Sequence, residues 1–166
     1  MNASYELNHY EQAVSYAEKV LANDKVDNRI KSDAHVIIAR SAIATNNEDK
    51  AKEAYKEVQK IATGKLAAEA LYYDAYFKNK ENDYEGSNAV VQKLVKDYSS
   101  YKQFGAKGLI IMAKNFYALE DSFQATYILE SVIKNFTTYP DEVAEAEAEL
   151  AKIKTAESKR NSSVTP

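Results

Sequence analysis

Few side chains in this sequence stand where bond-making chemistry could begin. The two histidines, His9 and His35, lie far apart and lack the short paired spacing with which imidazoles share a metal ion. Cysteine is absent, so thiolate chemistry and disulfides are excluded. Ser99–Lys102 and Ser131–Lys134 each have the S-x-x-K spacing in which an amine can activate a hydroxyl, but the S-D-N and K-T-G elements that complete such sites are missing. Gly64-Lys65 lacks the upstream glycine of a phosphate-cradling loop. Asn135-Phe136-Thr137 is a formal glycosylation sequon in a turn context and decides nothing. Asp74 and Lys78, one helical turn apart, are expected to form a solvated i, i+4 pair. Glu145, Glu147 and Glu149 read as a solvated face. With no nucleophile–base pair, metal set or phosphate loop, neither an enzyme nor a bound cofactor or metal is expected. What the chain does have is 13 tyrosines and no tryptophan, side chains suited to packing and to recognition.

Composition narrows the classes further. Among 166 residues, 45% are hydrophobic and 28% charged, the proportions of a folded, water-compatible chain. Lys and Arg number 22 against 25 Asp and Glu, a net charge of −3 that disfavours a nucleic-acid backbone as partner. No run of 18 apolar residues suggests a membrane span, and Met1–Tyr10 does not read as a signal peptide. Only four glycines and two prolines interrupt the chain, which favours long helices.

The apolar spacing is helical nearly throughout. Ala13, Ala17, Val20 and Leu21 follow the i, i+4, i+7, i+8 pattern of a buried stripe, and Leu109, Met112, Ala113 and Phe116 form another. Breaks fall at Asn, Asp, Ser, Gly and Pro positions, with Gly64 expected in the left-handed conformation that ends helices. The pattern predicts about eight helices over 8–23, 29–45, 48–62, 65–80, 83–98, 102–119, 121–135 and 140–157, with 158–166 as a disordered tail. In the last helix Val143, Ala146, Leu150 and Ile153 form the apolar stripe, while Glu142, Glu145, Glu149 and Lys152 are expected to face water.

These helices repeat. Ala13, Ala51, Ser87 and Ala125 stand 38, 36 and 38 residues apart, and each is followed seven positions later by Val20, Val58, Leu94 or Val132. Ala39, Ala75 and Ala113 keep the same 36 and 38 intervals. Two columns in step describe one helix pair used repeatedly, an all-α solenoid in which each pair covers its neighbour. The small residues mark where helices approach most closely.

Asn82-Asp83-Tyr84-Glu85-Gly86-Ser87 with Val91 and Leu94, Asn8-His9-Tyr10-Glu11-Gln12-Ala13, and Ala68-Glu69-Ala70-Leu71-Tyr72-Tyr73 with Ala75 resemble the turn and helices of the tetratricopeptide repeat (TPR) family. The resemblance covers residues 5–157. The period exceeds the family's usual 34, its closing proline is missing after the first three second helices, and Ala39, Ala75 and Ala113 replace a common glycine. With Leu94–Tyr98 and Ile133–Phe136 ending second helices, these features resemble bacterial cell-envelope members such as the periplasmic Tol-Pal-associated protein and the β-barrel assembly lipoprotein.

The resemblance implies a right-handed superhelix of an orphan second helix (8–23), three repeats (29–62, 65–98 and 102–135) and a capping helix (140–157), cut from the C-terminal part of a longer array. It implies a protein-interaction scaffold in the periplasm or at the outer membrane, with a cytoplasmic setting as the alternative compartment. The partner would be a peptide, helix or subunit held on the concave face. By register the contact residues would be Val36, Arg40 and Ile43; Glu69, Tyr72, Tyr76 and Asn79; and Ile110, Lys114 and Tyr117. The alternative is a structural spacer or oligomerisation segment, self-associating through the N-terminal end where Val14, Val20 and Leu21 would lack cover.

Overall fold

The computed structural model describes residues 1–163, apart from the side chains of Asn161 and Ser163. Among them the chain is all-helical: α1 (Asn2–Glu6), α2 (Tyr10–Leu21), α3 (Asn28–Ala44), α4 (Glu48–Ile61), α5 (Gly64–Lys80), α6 (Tyr84–Asp97), α7 (Lys102–Ala118), α8 (Ser122–Asn135) and α9 (Pro140–Ser163). Two compact units divide the chain at Asp74/Ala75, within α5. The first consists of α1–α4 and the start of α5, and the second of the rest of α5 with α6–α9. Within each unit successive helices pack on one another, α2 on α3 and α3 on α4 in the first, α6 on α7, α7 on α8 and α8 on α9 in the second.

The columns are buried as their small size requires. Ala13, Ala51, Ser87 and Ala125 are fully buried, as are Ala39, Ala75 and Ala113. Val58, Leu94 and Val132 are equally inaccessible, whereas Val20 is only half-buried. Gly108 shows how close the approach is, since a Cβ there would come within 3.1 Å of Leu94 Cδ2 and 3.3 Å of Val91 Cγ1.

The uneven period has a local cause. From a first-helix alanine to the next second-helix column residue the distance is always 12 positions, as in Ala39 to Ala51, Ala75 to Ser87 and Ala113 to Ala125. The return step varies, being 26 from Ala13 to Ala39 and from Ser87 to Ala113 but 24 from Ala51 to Ala75. That shorter step contains the tightest connection, Ala62-Thr63, which leads straight into Gly64 at φ 61°. Gly64 therefore takes the expected left-handed conformation, but it opens α5 instead of ending α4.

The constant step is held by one repeated turn. Asn8, Asn46, Asn82 and Glu120 all have positive φ, between 57° and 64°. In each case the residue after it closes a six-residue ring: His9 N–H donates to the Ser4 carbonyl, Asn47 to Ala42, Asp83 to Lys78 and Asp121 to Phe116, at 2.8–2.9 Å. These are Schellman turns, in which a short asparagine tolerates the left-handed backbone better than most residues. The next helix then starts on a side-chain cap, with Asn47, Asp83 and Asp121 accepting from the N–H of Lys50, Gly86 and Gln124. His9 holds the same position before α2 without a side-chain bond.

The ends differ from expectation in two respects. The short α1 adds a helix before the predicted first one. At the other end α9 runs to Ser163, so residues 158–163 are helical instead of tail; the predicted disorder at 164–166 lies outside the described residues. The preceding stretch, 144–157, is rich in Ala, Glu and Lys, and a helix already formed there extends into the polar residues that follow at little cost.

Candidate interaction face

The ten residues selected by register lie on α3, α5 and α7, and they separate by accessibility. Val36 and Ile110 are 2% and 1% exposed and belong to the core, so the expectation that they meet a partner is corrected. Each occupies an apolar helix position whose burial gains more than its exposure could. Ile43, Tyr72, Tyr76 and Tyr117 are half-buried. Tyr72 sets its ring edge-on to Tyr73, Tyr76 does so to Phe77, and Lys80 Nζ sits 5.6 Å from the Tyr76 ring centroid. Tyr117 packs on the Leu129 and Ile110 core.

The polar members are engaged within the protein. Arg40 of α3 grips Glu69 of α5 in a two-point ion pair, Nε to Oε1 at 2.7 Å and Nη2 to Oε2 at 2.5 Å. Tyr55 Oη of α4 donates to the same carboxylate at 2.9 Å, and the Tyr55 ring stacks on Tyr73 at 4.3 Å. The Glu69 side chain is 4% exposed and that of Arg40 34%. Glu69 thus serves as the buried junction of three helices and is withdrawn from any ligand. Its hydrogen bonds keep the Arg40 guanidinium charged far beyond the ordinary range. Burial, then the Glu69 charge, pushes the Tyr55 hydroxyl well above its usual value, and burial raises Tyr73 and Tyr5 in the same direction.

In the second unit Asn79 donates to Asn115 Oδ1 at 2.7 Å, while Asn115 Nδ2 donates to Ser87 Oγ and Asn88 Oδ1, both at 2.8 Å. Ser87 Oγ completes the chain by donating to the Ala75 carbonyl at 2.8 Å. Asn115 is fully buried, and sequence reasoning missed it. The available signal was a polar residue inside the buried stripe of Met112, Ala113 and Phe116. Lys114 bridges to α9, 2.8 Å from Glu145 and 3.8 Å from Glu149. Glu142, expected to face water, is instead buried, accepting from Gln103 Nε2 at 2.9 Å with Lys107 Nζ at 3.8 Å. Burial of that carboxylate is offset by one hydrogen bond and one nearby cation from α7, which the α9 sequence by itself does not show.

The remaining chemical candidates fall as follows. Lys78 lies 3.5 Å from Asp83 instead of pairing with Asp74. His35 lies half-buried beside Leu21, Ile38 and Glu57, where desolvation holds its pKa below 6.5. Among the described residues no three His, Cys, Asp or Glu side chains group as a metal site, and no helix is long and apolar enough to cross a membrane.

The described residues form an all-α helical repeat, with half-exposed tyrosines on α5 and α7. No protein-family model matches the chain, and no curated protein matches it in sequence.

Proposed function

We propose that this chain is a TPR-type protein-interaction scaffold whose first helices contact an extended peptide or a partner helix. One observation carries the reading. The register positions occupied by Arg40, Tyr76 and Lys114, and by Ile43, Asn79 and Tyr117, stay half-exposed on all three first helices, while neighbouring positions are consumed by packing. Since Arg40 and Lys114 already hold carboxylates, contact area would come chiefly from Ile43, Tyr72, Tyr76 and Tyr117. Large rings supply such area at modest entropy cost. The bacterial envelope as the setting rests on the sequence resemblance.

Selection of a displayed peptide library on the intact chain tests the proposal. Peptides enriched on the native protein should lose binding to the Tyr72→Ala/Tyr76→Ala/Tyr117→Ala variant while its helical circular dichroism is retained. Equal binding by that variant, or no enrichment, would sink it.

A second reading, an oligomerisation segment, is supported by Phe123 and Tyr127, which are 77% and 65% exposed on α8. The same repeat positions hold Glu85 and Ala89, Asp49 and Glu53, and Glu11 and Ser15, none of them a large apolar residue. A monomeric sedimentation profile at high concentration would remove this alternative.

A further inference from the structure

The second unit contains a cleft of about 300 Å³ where the C-terminal ends of α6 and α8 meet the start of α7. Its walls are mainly apolar and include Val95, Leu109, Tyr98, Tyr101 and Phe136. The Tyr98 and Tyr101 rings are tilted at 41° with centroids 6.4 Å apart, so they flank the space without closing on each other. Lys102 is the one charged residue in the lining, which contains no carboxylate. Lys102 makes no ion pair among the described residues and is exposed.

One residue of the lining has no side chain. Gly105 is buried, yet a Cβ built on it would meet only Val95 Cγ1, at an ordinary 3.9 Å. Gly108, three residues on, has no such room. Packing thus accounts for Gly108 and not for Gly105, which costs helix stability without relieving a clash. The corresponding residues of the neighbouring repeats are Ala67 and Val143, both with side chains. A glycine kept open at this position, between three aromatic rings and a lysine, is what a small planar guest requires.

We propose that this cleft binds a small aromatic carboxylic acid, its ring against Tyr98, Tyr101 and Phe136 above Gly105 and its carboxylate at Lys102. Ring burial provides the affinity, and the lysine fixes the sign of the head group. This site does not depend on the interaction-face reading.

Calorimetric titration of the intact chain with 2-naphthoate, 2-naphthamide and 2-naphthylmethylammonium tests the assignment. The carboxylate should bind saturably, tighter than the amide, with the ammonium weakest. Lys102→Ala should weaken naphthoate about fivefold and leave the amide unchanged. Gly105→Ala should weaken all binding and Gly105→Val abolish it, with neither lowering the melting temperature. The proposal is overturned if naphthoate does not bind or the ammonium binds as well as the carboxylate. It is also overturned if Gly105→Val binds like the native protein, or if its melting temperature falls, since the space would then not be open. A short peptide ending in a free C-terminal phenylalanine that binds more tightly than naphthoate would reassign the cleft to a peptide terminus and equally overturn it.

Discussion

Arg40 and Glu69 are the residues at which ligand contact and structural pairing make opposite demands, and substitution separates the two. If they served a partner, replacing either would leave stability nearly unchanged. In the structure they form a two-point pair with unequal exposure, 34% for Arg40 and 4% for Glu69. Arg40→Met preserves the aliphatic stem but strands a buried carboxylate with only the Tyr55 hydroxyl as an identified donor. Removing one partner of a buried pair costs about 3–5 kcal/mol, and the remaining Tyr55 bond puts this case near about 3 kcal/mol. Glu69→Gln leaves a guanidinium that can reach water and still finds an amide oxygen, so about 1 kcal/mol is expected. The double variant contains no stranded charge, so adding Glu69→Gln to Arg40→Met should restore about 2 kcal/mol. Urea unfolding followed by circular dichroism gives the energies. Hydrogen exchange in α3–α5 localises them, because a repeat chain can open unit by unit. The reasoning is refuted if Glu69→Gln costs as much as Arg40→Met, or if the second substitution destabilises further.

Three other outcomes follow from single positions. Glu120 alone places a longer side chain in a turn that elsewhere uses asparagine, at φ 64°, so Glu120→Asn should stabilise by about 0.5–1 kcal/mol, read as a rise in melting temperature; a fall would contradict the turn argument. Ser41 Oγ is buried and has no hydrogen-bond partner among the described residues, so Ser41→Ala should raise stability by about 1 kcal/mol in urea unfolding, and destabilisation would show that the hydroxyl is satisfied. Tyr5, Tyr55 and Tyr73 hold their protons more tightly folded than the ordinary value of 10.0. Their contribution is therefore complete below pH 10 and declines as pH rises above it, by up to about 1.4 kcal/mol per pH unit for the buried Tyr55 and by less for the more exposed Tyr5 and Tyr73. Tyr55→Phe should reduce that alkaline slope by one proton in pH-dependent unfolding, and an unchanged slope would count against it.

Legibility in the sequence followed how local the cause was. The alanine columns were readable because only small side chains fit where helices approach, and the Asn and Asp turns because their backbone preferences act within a few residues. Asn115 was not readable in the same way. Its burial is tolerable only because Asn79, Ser87 and Asn88 arrive from other helices, and nothing adjacent to it in sequence announces them. Glu142 failed for the same reason, its hydrogen-bond donor Gln103 and the nearby Lys107 cation lying on α7. Val36 and Ile110 failed differently: the register transferred from a resemblance placed them on a contact face although their apolar character spoke for the core.

A repeat offers its own internal control, because each column shows what packing alone requires at a position. Where a residue departs from its column, the departure demands a compensation, and the structure supplies several. Ser87 replaces an alanine and donates to the Ala75 carbonyl; Asn115, where the other repeats have Ser41 and Phe77, joins Asn79, Ser87 and Asn88. Phe123 and Tyr127 replace polar or small residues and find no burial, while Gly105 replaces side chains and leaves a space between rings. The first two departures are answered inside the protein. The last two are not, and an uncompensated cost in an otherwise regular array points outward, to something the surface meets. The Arg40–Glu69 junction is likewise answered inside the protein, spent on joining helices. Recognition by this chain is therefore to be sought where its repeats disagree.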